Sequence, residues 1–236
     1  MKQIAVGNTA EIFDYEEGKI LKLFKAGYPV EDIKREFGNS KKVNEFGIPS
    51  PKAYEILFEV ENGRTGIVYE KIFGQDLLSE VMAHIQDTAF VEARIDTLSA
   101  MHKDFLNHTL TDCISYKDYL DFFGYPGTDS LPDGDFLCHG DFHFGNVLRS
   151  SEDAEKIFVI DFMNLCHGPK EYDIARSYVL ITEDNLGPEI EQGIRSLLLQ
   201  AKMACGQLYL EKMGCTLKNI EQFIPAIEFC RGKEML

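Results

Sequence analysis

Tryptophan is absent from the 236 residues, and the six cysteines (Cys113, Cys138, Cys166, Cys205, Cys215 and Cys230) contain no C-x-x-C pair. That scatter argues against a disulfide frame or a zinc knuckle and reads as reduced thiols packed as small apolar groups. No apolar run approaches the length that crosses a bilayer. The opening residues Met1 to Gly7 lack the apolar stretch and small-residue cleavage site of a secretory signal. A cytoplasmic protein with no membrane partner is expected. Cationic residues are scarce: 24 Lys and Arg stand against 39 Asp and Glu, a net charge of −15. With no local basic patch, binding to a phosphate backbone is not expected, so nucleic acid is excluded as a partner. Internal repeats and low-complexity tracts are also missing.

What is present is an ordinary globular composition, 44% hydrophobic and 27% charged, in a chain long enough for one large domain or two modest lobes. Residues 3 to 25 read as strands, with turns at Gly7-Asn8-Thr9-Ala10 and Glu16-Glu17-Gly18. In the last of these strands Ile20, Lys22 and Phe24 alternate with Leu21 and Leu23. Pro29 opens a helix with Glu31 and Asp32 near its positive end and an apolar face of Val30, Ile33 and Phe37, ending before Gly47-Ile48-Pro49. Ala53 to Val60 and Thr65 to Glu70 complete a sheet of about five strands. After Phe73-Gly74 the pattern turns helical, with one long amphipathic helix from about Ala89 to Leu106. Thr109 to Gly134 reads as irregular. Two short strands, Asn146 to Arg149 and Lys156 to Asp161, precede about three helices broken near Asn185 to Pro188 and at Gly214. The expected division is a small β-rich lobe over 1–72 and a larger helical lobe over 73–236.

The segment Leu137-Cys138-His139-Gly140-Asp141-Phe142-His143-Phe144-Gly145-Asn146 places an Asp on a loop and an Asn where the next strand begins. The following strand ends in Val159-Ile160-Asp161-Phe162. A hairpin of this kind brings Asn146 and Asp161 together at one end, with Asp141 just outside. Phosphoryl transfer calls for oxygen ligands to Mg²⁺ and a separate carboxylate to orient an attacking hydroxyl.

These residues carry a resemblance. His139-Gly140-Asp141 with Asn146 resembles the H-G-D-x-x-x-x-N loop of the aminoglycoside phosphotransferase and choline kinase family. Ile160-Asp161-Phe162 resembles its metal-binding segment, and Gly168 to Ala175 resembles its G-P-x-x-x-D-x-A stretch. The resemblance implies an α+β, bilobal, protein-kinase-like fold and a kinase that moves the γ-phosphoryl group of ATP or GTP, with Mg²⁺, onto a hydroxyl of a small molecule. It implies Asp141 as the catalytic carboxylate and Asn146 and Asp161 as metal ligands. Lys22 would grip the α- and β-phosphates, with Glu36 as its partner. Gly7 and Thr9 would lie in the phosphate-covering turn, which has one glycine where protein kinases have three. The backbone of Glu70 and Ile72 would meet the base, and His139 and Asp173 would support the catalytic loop.

Other readings attach to the same residues. Gly140-Asp141-Phe142-His143 also fits the G-D-x-H element of two-metal phosphoesterases, but the further D-x-H and G-N-H elements are lacking. A nucleotide-binding module without activity would normally have lost Lys22, Asp141 or Asp161, and all are present. His102 reads as a satisfied core histidine, His143 as an exposed loop residue, and Arg176 as a partner of Asp173 or a surface residue. For the acceptor, Tyr116, Tyr119, Phe122, Phe123 and Tyr125 could cage a cationic head group, although the strongest cage residue, Trp, is absent. Asp121, Asp129, Asp133, Asp135 and Glu183 could meet ammonium groups, or form a solvated acidic loop.

Overall fold

A computed structural model describes residues 1–234 and divides them into two compact units. The first joins Met1–Asp76 to Asn146–Asn164, and the second joins Leu77–Gly145 to the chain from Leu165 onward. The hairpin bearing Asn146 and Asp161 therefore groups with the N-terminal sheet, whereas the sequence reading had placed it after residue 73.

In the first unit, β1 (Lys2–Val6), β2 (Ala10–Asp14), β3 (Lys19–Phe24), β4 (Ala53–Leu57) and β5 (Gly66–Glu70) form one antiparallel sheet in the order β1-β2-β3-β5-β4. The alternation in β3 sorts its residues as the pattern required. Ile20 and Phe24 pack with Ile67 and Tyr69 on the face that also receives Ile33 of α1 (Val30–Glu45). Leu21 and Leu23 pack with Val68 on the other face. Lys22 lies in register with Ile67 and so points to the α1 side.

Helix α1 starts where expected, with Pro29 as its cap and Glu31 and Asp32 in the first turn. Its inward face differs from the expected apolar stripe. Val30 is exposed and Phe37 half-buried, while Ile33, Glu36, Asn39, Ser40 and Val43 are buried. A buried polar stripe is retained only where it finds partners, and those partners are functional groups described below.

Gly66 sits where β5 passes β3 most closely. A Cβ there would lie 2.7 Å from Leu21 Cδ1 and 2.9 Å from the Lys22 carbonyl oxygen. Gly66→Ala is therefore expected to destabilise the protein by about 1–3 kcal/mol, the usual penalty of overpacking, read as a lower urea midpoint with unchanged slope.

The rest of the unit is a second small sheet, in which β8 (Val147–Ser150) pairs with both β6 (Gly74–Asp76) and β9 (Ile157–Val159).

The second unit is mostly helical: α2 (Leu77–Ala83), α3 (Thr88–Phe105), α4 (Tyr116–Phe122), α5 (Lys170–Thr182), α6 (Gln192–Met213), α7 (Leu217–Ile220) and α8 (Ile224–Glu234). Helix α5 is its hub, packing against α6, α7 and α8, and ten of its residues are buried. Helix α4 lies within the segment expected to be irregular, and Ser115 caps it through a reciprocal box with Asp118. Two three-residue strands, β7 (Phe136–Cys138) and β10 (Cys166–Gly168), pair antiparallel and bracket the loop that carries Asp141. The helix break at Gly214 uses a left-handed residue, φ 75°. No helix among the described residues is long and apolar enough to cross a membrane.

Candidate active site

In the first unit, strand β3 and helix α1 bring Lys22 and Glu36 together: Lys22 Nζ lies 2.7 Å from Glu36 Oε1. The same ammonium donates to Asp161 Oδ1 at 3.1 Å. Tyr69 donates to Glu36 Oε1 at 3.0 Å, so the glutamate is oriented from β5 as well. Burial disfavours the charge on Lys22, but the two carboxylates outweigh it and raise its pKa, so the ammonium stays charged. Burial pushes the Glu36 carboxyl up despite Lys22. Losing the Glu36 charge would remove a charge-assisted bond worth ~1.5–3 kcal/mol. Glu36→Gln is therefore expected to destabilise the protein by about that amount, read as a lower urea midpoint with unchanged slope.

Asp161 follows β9 in a left-handed conformation, φ 68°, which is costly for a residue other than glycine. Its segment is pinned from α1, where Asn39 Nδ2 donates to the Phe162 carbonyl at 2.9 Å. The turn of backbone at Asp161 aims its carboxylate at Lys22 and leaves the side chain 38% exposed. Asn146 stands at the same end of the hairpin: Val147 pairs with Val159, and Ile160 N–H donates to the Asn146 carbonyl at 3.0 Å. An amide and a carboxylate thus share one hairpin end, a donor set that suits a hard cation such as Mg²⁺, which keeps several water or phosphate ligands. Among the described residues, no three His, Cys, Asp or Glu side chains cluster in a way that could hold a metal ion.

Of the other residues assigned to nucleotide, Gly7 and Thr9 lie in the β1–β2 turn, closed by Gly7 N–H to the Ala10 carbonyl at 2.8 Å. Glu70 ends β5, with its N–H committed to the Lys52 carbonyl, and Ile72 follows two residues later.

In the second unit, Asp141 sits on the loop after β7 with its side chain 23% exposed. His143 Nδ1 accepts from Gly145 N–H at 3.0 Å, so its Nε2 carries the proton and faces Asp141 Oδ2 at 3.6 Å. Burial alone would raise the Asp141 pKa. His143, Arg176 and His139 overcome it and hold the carboxyl well below the usual carboxylate range. His143 is thus more than an exposed loop residue.

Asp173, in the first turn of α5, braces this loop. Its Oδ1 accepts from Gly140 N–H at 2.8 Å, and its Oδ2 accepts from His139 N–H at 2.8 Å and from His102 Nε2 at 2.9 Å. Because the carboxylate can only accept, His102 donates from Nε2, and its Nδ1 accepts from the Tyr209 hydroxyl at 2.6 Å. His102 also stacks on Phe142 with ring centroids 4.1 Å apart. It is buried and satisfied, as the sequence reading had it; its place behind Asp173 was not foreseen. His139 is fully buried, and its Nδ1 accepts from Asp141 N–H at 3.2 Å. Arg176 is neither a partner of Asp173 nor a surface residue: it is buried and donates from Nε to the Gly140 carbonyl.

The five aromatics do not gather at one place: Tyr119, Phe123 and Phe122 meet edge to face, with ring centroids 5.1 and 5.2 Å apart, while Tyr125 packs on Phe229. Tyr116 packs in the core against Tyr172 and Phe223, Tyr119 is bonded to Glu234, and Phe122 is 83% exposed. Asp133 is 91% exposed beside Lys117, as in a solvated loop. Between the C-terminal end of α5 and α8 lies a cavity of about 370 Å³, lined by Tyr178, Thr182, Glu183, Asp184, Glu228 and Arg231 among others.

Residues 129–209, about a third of the chain, match the model of the phosphotransferase enzyme family. That segment contains Asp141, Asn146, Asp161 and Asp173. No curated protein matches the sequence. Among solved structures, an aminoglycoside-3′-phosphotransferase of type VIII is similar at a TM-score of 0.64 and 14% identity, over 97% of this chain and 91% of that one. A GDP complex of an aminoglycoside 2′-phosphotransferase mutant is similar at 0.54 and 13% identity, over 99% and 92%. An aminoglycoside phosphotransferase from Streptomyces rimosus, in complex with ADP and streptomycin, is similar at 0.52 and 14% identity, over 93% and 90%. At these identities the likeness is one of fold.

Proposed function

We infer that this chain, a phosphotransferase by its motif segment 129–209 and by its kinase-like fold, transfers the γ-phosphoryl group of ATP or GTP to a hydroxyl of a small, amine-bearing molecule. The observation that carries this reading is the lysine held between two carboxylates. Lys22 stays charged by pairing with Glu36, fixed on α1, and with Asp161, which stands at the end of the hairpin shared with Asn146. A surface ion pair would be unremarkable; a buried ammonium between a structural glutamate and a half-exposed aspartate is an anion-binding group kept ready.

In this reading Lys22 steadies the α- and β-phosphates. Asn146 and Asp161 are the residues that would hold Mg²⁺, which when bound neutralises charge on the phosphate oxygens. Asp141, an ionised carboxylate on a braced loop, accepts a hydrogen bond from the acceptor hydroxyl and aligns its oxygen for in-line attack. Its proton is accepted as the new P–O bond forms and the bond to the β-phosphate oxygen breaks. Gly7 and Thr9 cover the phosphates by backbone and hydroxyl contacts. The backbone of Glu70 and Ile72 meets the base, which leaves adenine and guanine both acceptable.

The acceptor class follows from charge. The cavity beside α5 and α8 is lined by Glu183, Asp184 and Glu228; Arg231 pairs with Glu183 and Arg195 with Asp184, and Glu228 adds the carboxylate that can meet an ammonium group. The Streptomyces rimosus neighbour is an aminoglycoside phosphotransferase in complex with ADP and streptomycin. Support for this assignment would come from a screen of Mg·ATP consumption across aminoglycosides, amino alcohols, choline and neutral sugars, with product mass as the readout. Phosphorylation of an amine-bearing alcohol, abolished by EDTA, is expected. Background rates that are equal in the wild type and in Asp141→Asn, for every compound, would sink the reading.

A further inference from the structure

We propose that Arg176 is a positioning residue for the loop carrying Asp141, and that Glu234, at the far end of α8, holds Arg176 in that task; the proposal rests on the phosphotransferase reading above and extends it. The argument starts from the peptide group joining Gly140 to Asp141. Its carbonyl accepts from Arg176 Nε, and its N–H donates to His139 Nδ1. A peptide group is planar, so gripping both edges fixes the plane and with it the N–Cα bond of Asp141, leaving rotation about that one bond to set the side chain. The preceding N–H, that of Gly140, is separately fixed by Asp173, and Gly140 itself is left-handed, φ 75°. Asp173 therefore holds the peptide before Gly140, and Arg176 holds the one after it.

The guanidinium is in turn held from α8. Arg176 Nη2 donates to Glu234 Oε1 at 2.9 Å and to the Tyr119 hydroxyl at 3.3 Å, and the plane lies over the Tyr119 ring at 5.2 Å. Glu234 is itself anchored by Arg231 Nη1 at 2.7 Å, and Arg231 grips Glu183 with Nε and Nη2 at 3.1 and 2.6 Å. Glu183 and Arg231 line the cavity assigned to the acceptor. One chain of fork-shaped contacts thus runs from that cavity through α8 to the loop of Asp141.

Stability is a poor explanation for this arrangement. Buried ion pairs gain little over well-packed apolar groups of the same size. Here Arg176 is fully buried, yet among the described residues its Nη1 has no hydrogen-bond partner. A group selected for stability alone would not leave a buried donor unmet. An arginine whose fork must serve the Gly140 carbonyl and Glu234 at once would, because no other side chain reaches both.

The test uses the full chain with Arg176→Lys and Glu234→Gln, wild type and Asp141→Asn as references, and Mg·ATP hydrolysis to water as the activity. Three quantities are read: kcat, affinity for a fluorescent ATP analogue, and amide exchange over residues 137–145. A lysine can reach the carbonyl or the carboxylate but not both, so each variant is expected to lose about tenfold or more in kcat with nucleotide affinity kept within about twofold. Exchange at residues 139–141 is expected to rise about tenfold while exchange in β3 and β5 is unchanged. A merely structural role would lower affinity and kcat together and accelerate exchange throughout the second unit; that result, or wild-type kcat and loop exchange in both folded variants, overturns the proposal. If wild type hydrolyses no more than Asp141→Asn, the phosphotransferase reading is what fails, and loop exchange alone decides the positioning claim: local acceleration supports it and none refutes it.

Discussion

Asp141→Asn is expected to lower kcat by about 10²–10⁴-fold while leaving nucleotide affinity close to wild type, the range that a positioned base contributes. The substitution keeps the shape of the side chain and the backbone bond from Asp141 N–H to His139, so the loop should fold as before. What disappears is the negative charge that, in the proposed mechanism, accepts the hydroxyl proton. The environment is built to keep that charge: burial opposes it, yet His143, Arg176 and His139 together depress the pKa below the ordinary carboxylate range. Asp141 is therefore expected to be ionised throughout the neutral range and to contribute no acid limb to kcat/KM between about pH 5 and 9. A wild-type limb in that interval that vanished in Asp141→Asn would contradict the assignment. Steady-state kinetics across that range, with equilibrium binding of a fluorescent nucleotide, measures both parts.

The largest effect on stability is expected at Asp173. Removing its carboxylate as Asp173→Ala strands three buried donors, the N–H groups of His139 and Gly140 and Nε2 of His102. Loss of one member of a buried charged network costs about 3–5 kcal/mol, a large share of a typical domain's total. The pH dependence has a definite sign. Burial would raise the Asp173 pKa, but His102, His139 and the Gly140 amide outweigh it and lower it from 3.8. A depressed carboxyl stabilises the fold in full above its unfolded pKa, and the contribution fades as pH falls from about 4 through the lower folded value. Urea unfolding should thus show a wide gap between wild type and Asp173→Ala at pH 7 that narrows on acidification below pH 4. A constant gap, or one below about 1 kcal/mol at pH 7, would mean that the carboxylate is not the brace.

Much of this was legible before any coordinates. The two-residue period of β3 fixed which way Lys22 points, because a strand leaves a side chain only two faces. The spacing from Asp141 through Asn146 to Asp161 announced a hairpin with two oxygen donors at one end, and the hairpin is there. The elements that escaped were too short to show a period: β6, β7 and β10 have three residues each, and α4 has seven. The inner face of α1 escaped for a different reason. Glu36, Asn39 and Ser40 look like solvent-facing residues in sequence, and only the partners supplied by Lys22, Phe162 and Tyr69 make them interior. Arg176 was open to either reading for the same reason. Its one sequence signal, an arginine three residues after Asp173 and just ahead of the apolar run Tyr178 to Ile181, was available but carries no direction.

The contact between Glu234 and Arg176 also bears on how the protein is made. Nascent chains emerge from the ribosome in order, and the loop of Asp141 leaves the exit tunnel some ninety residues before the glutamate that completes its support. Assembly of this support is therefore late in synthesis: the guanidinium of Arg176 meets its carboxylate only after α8 has been released and docked.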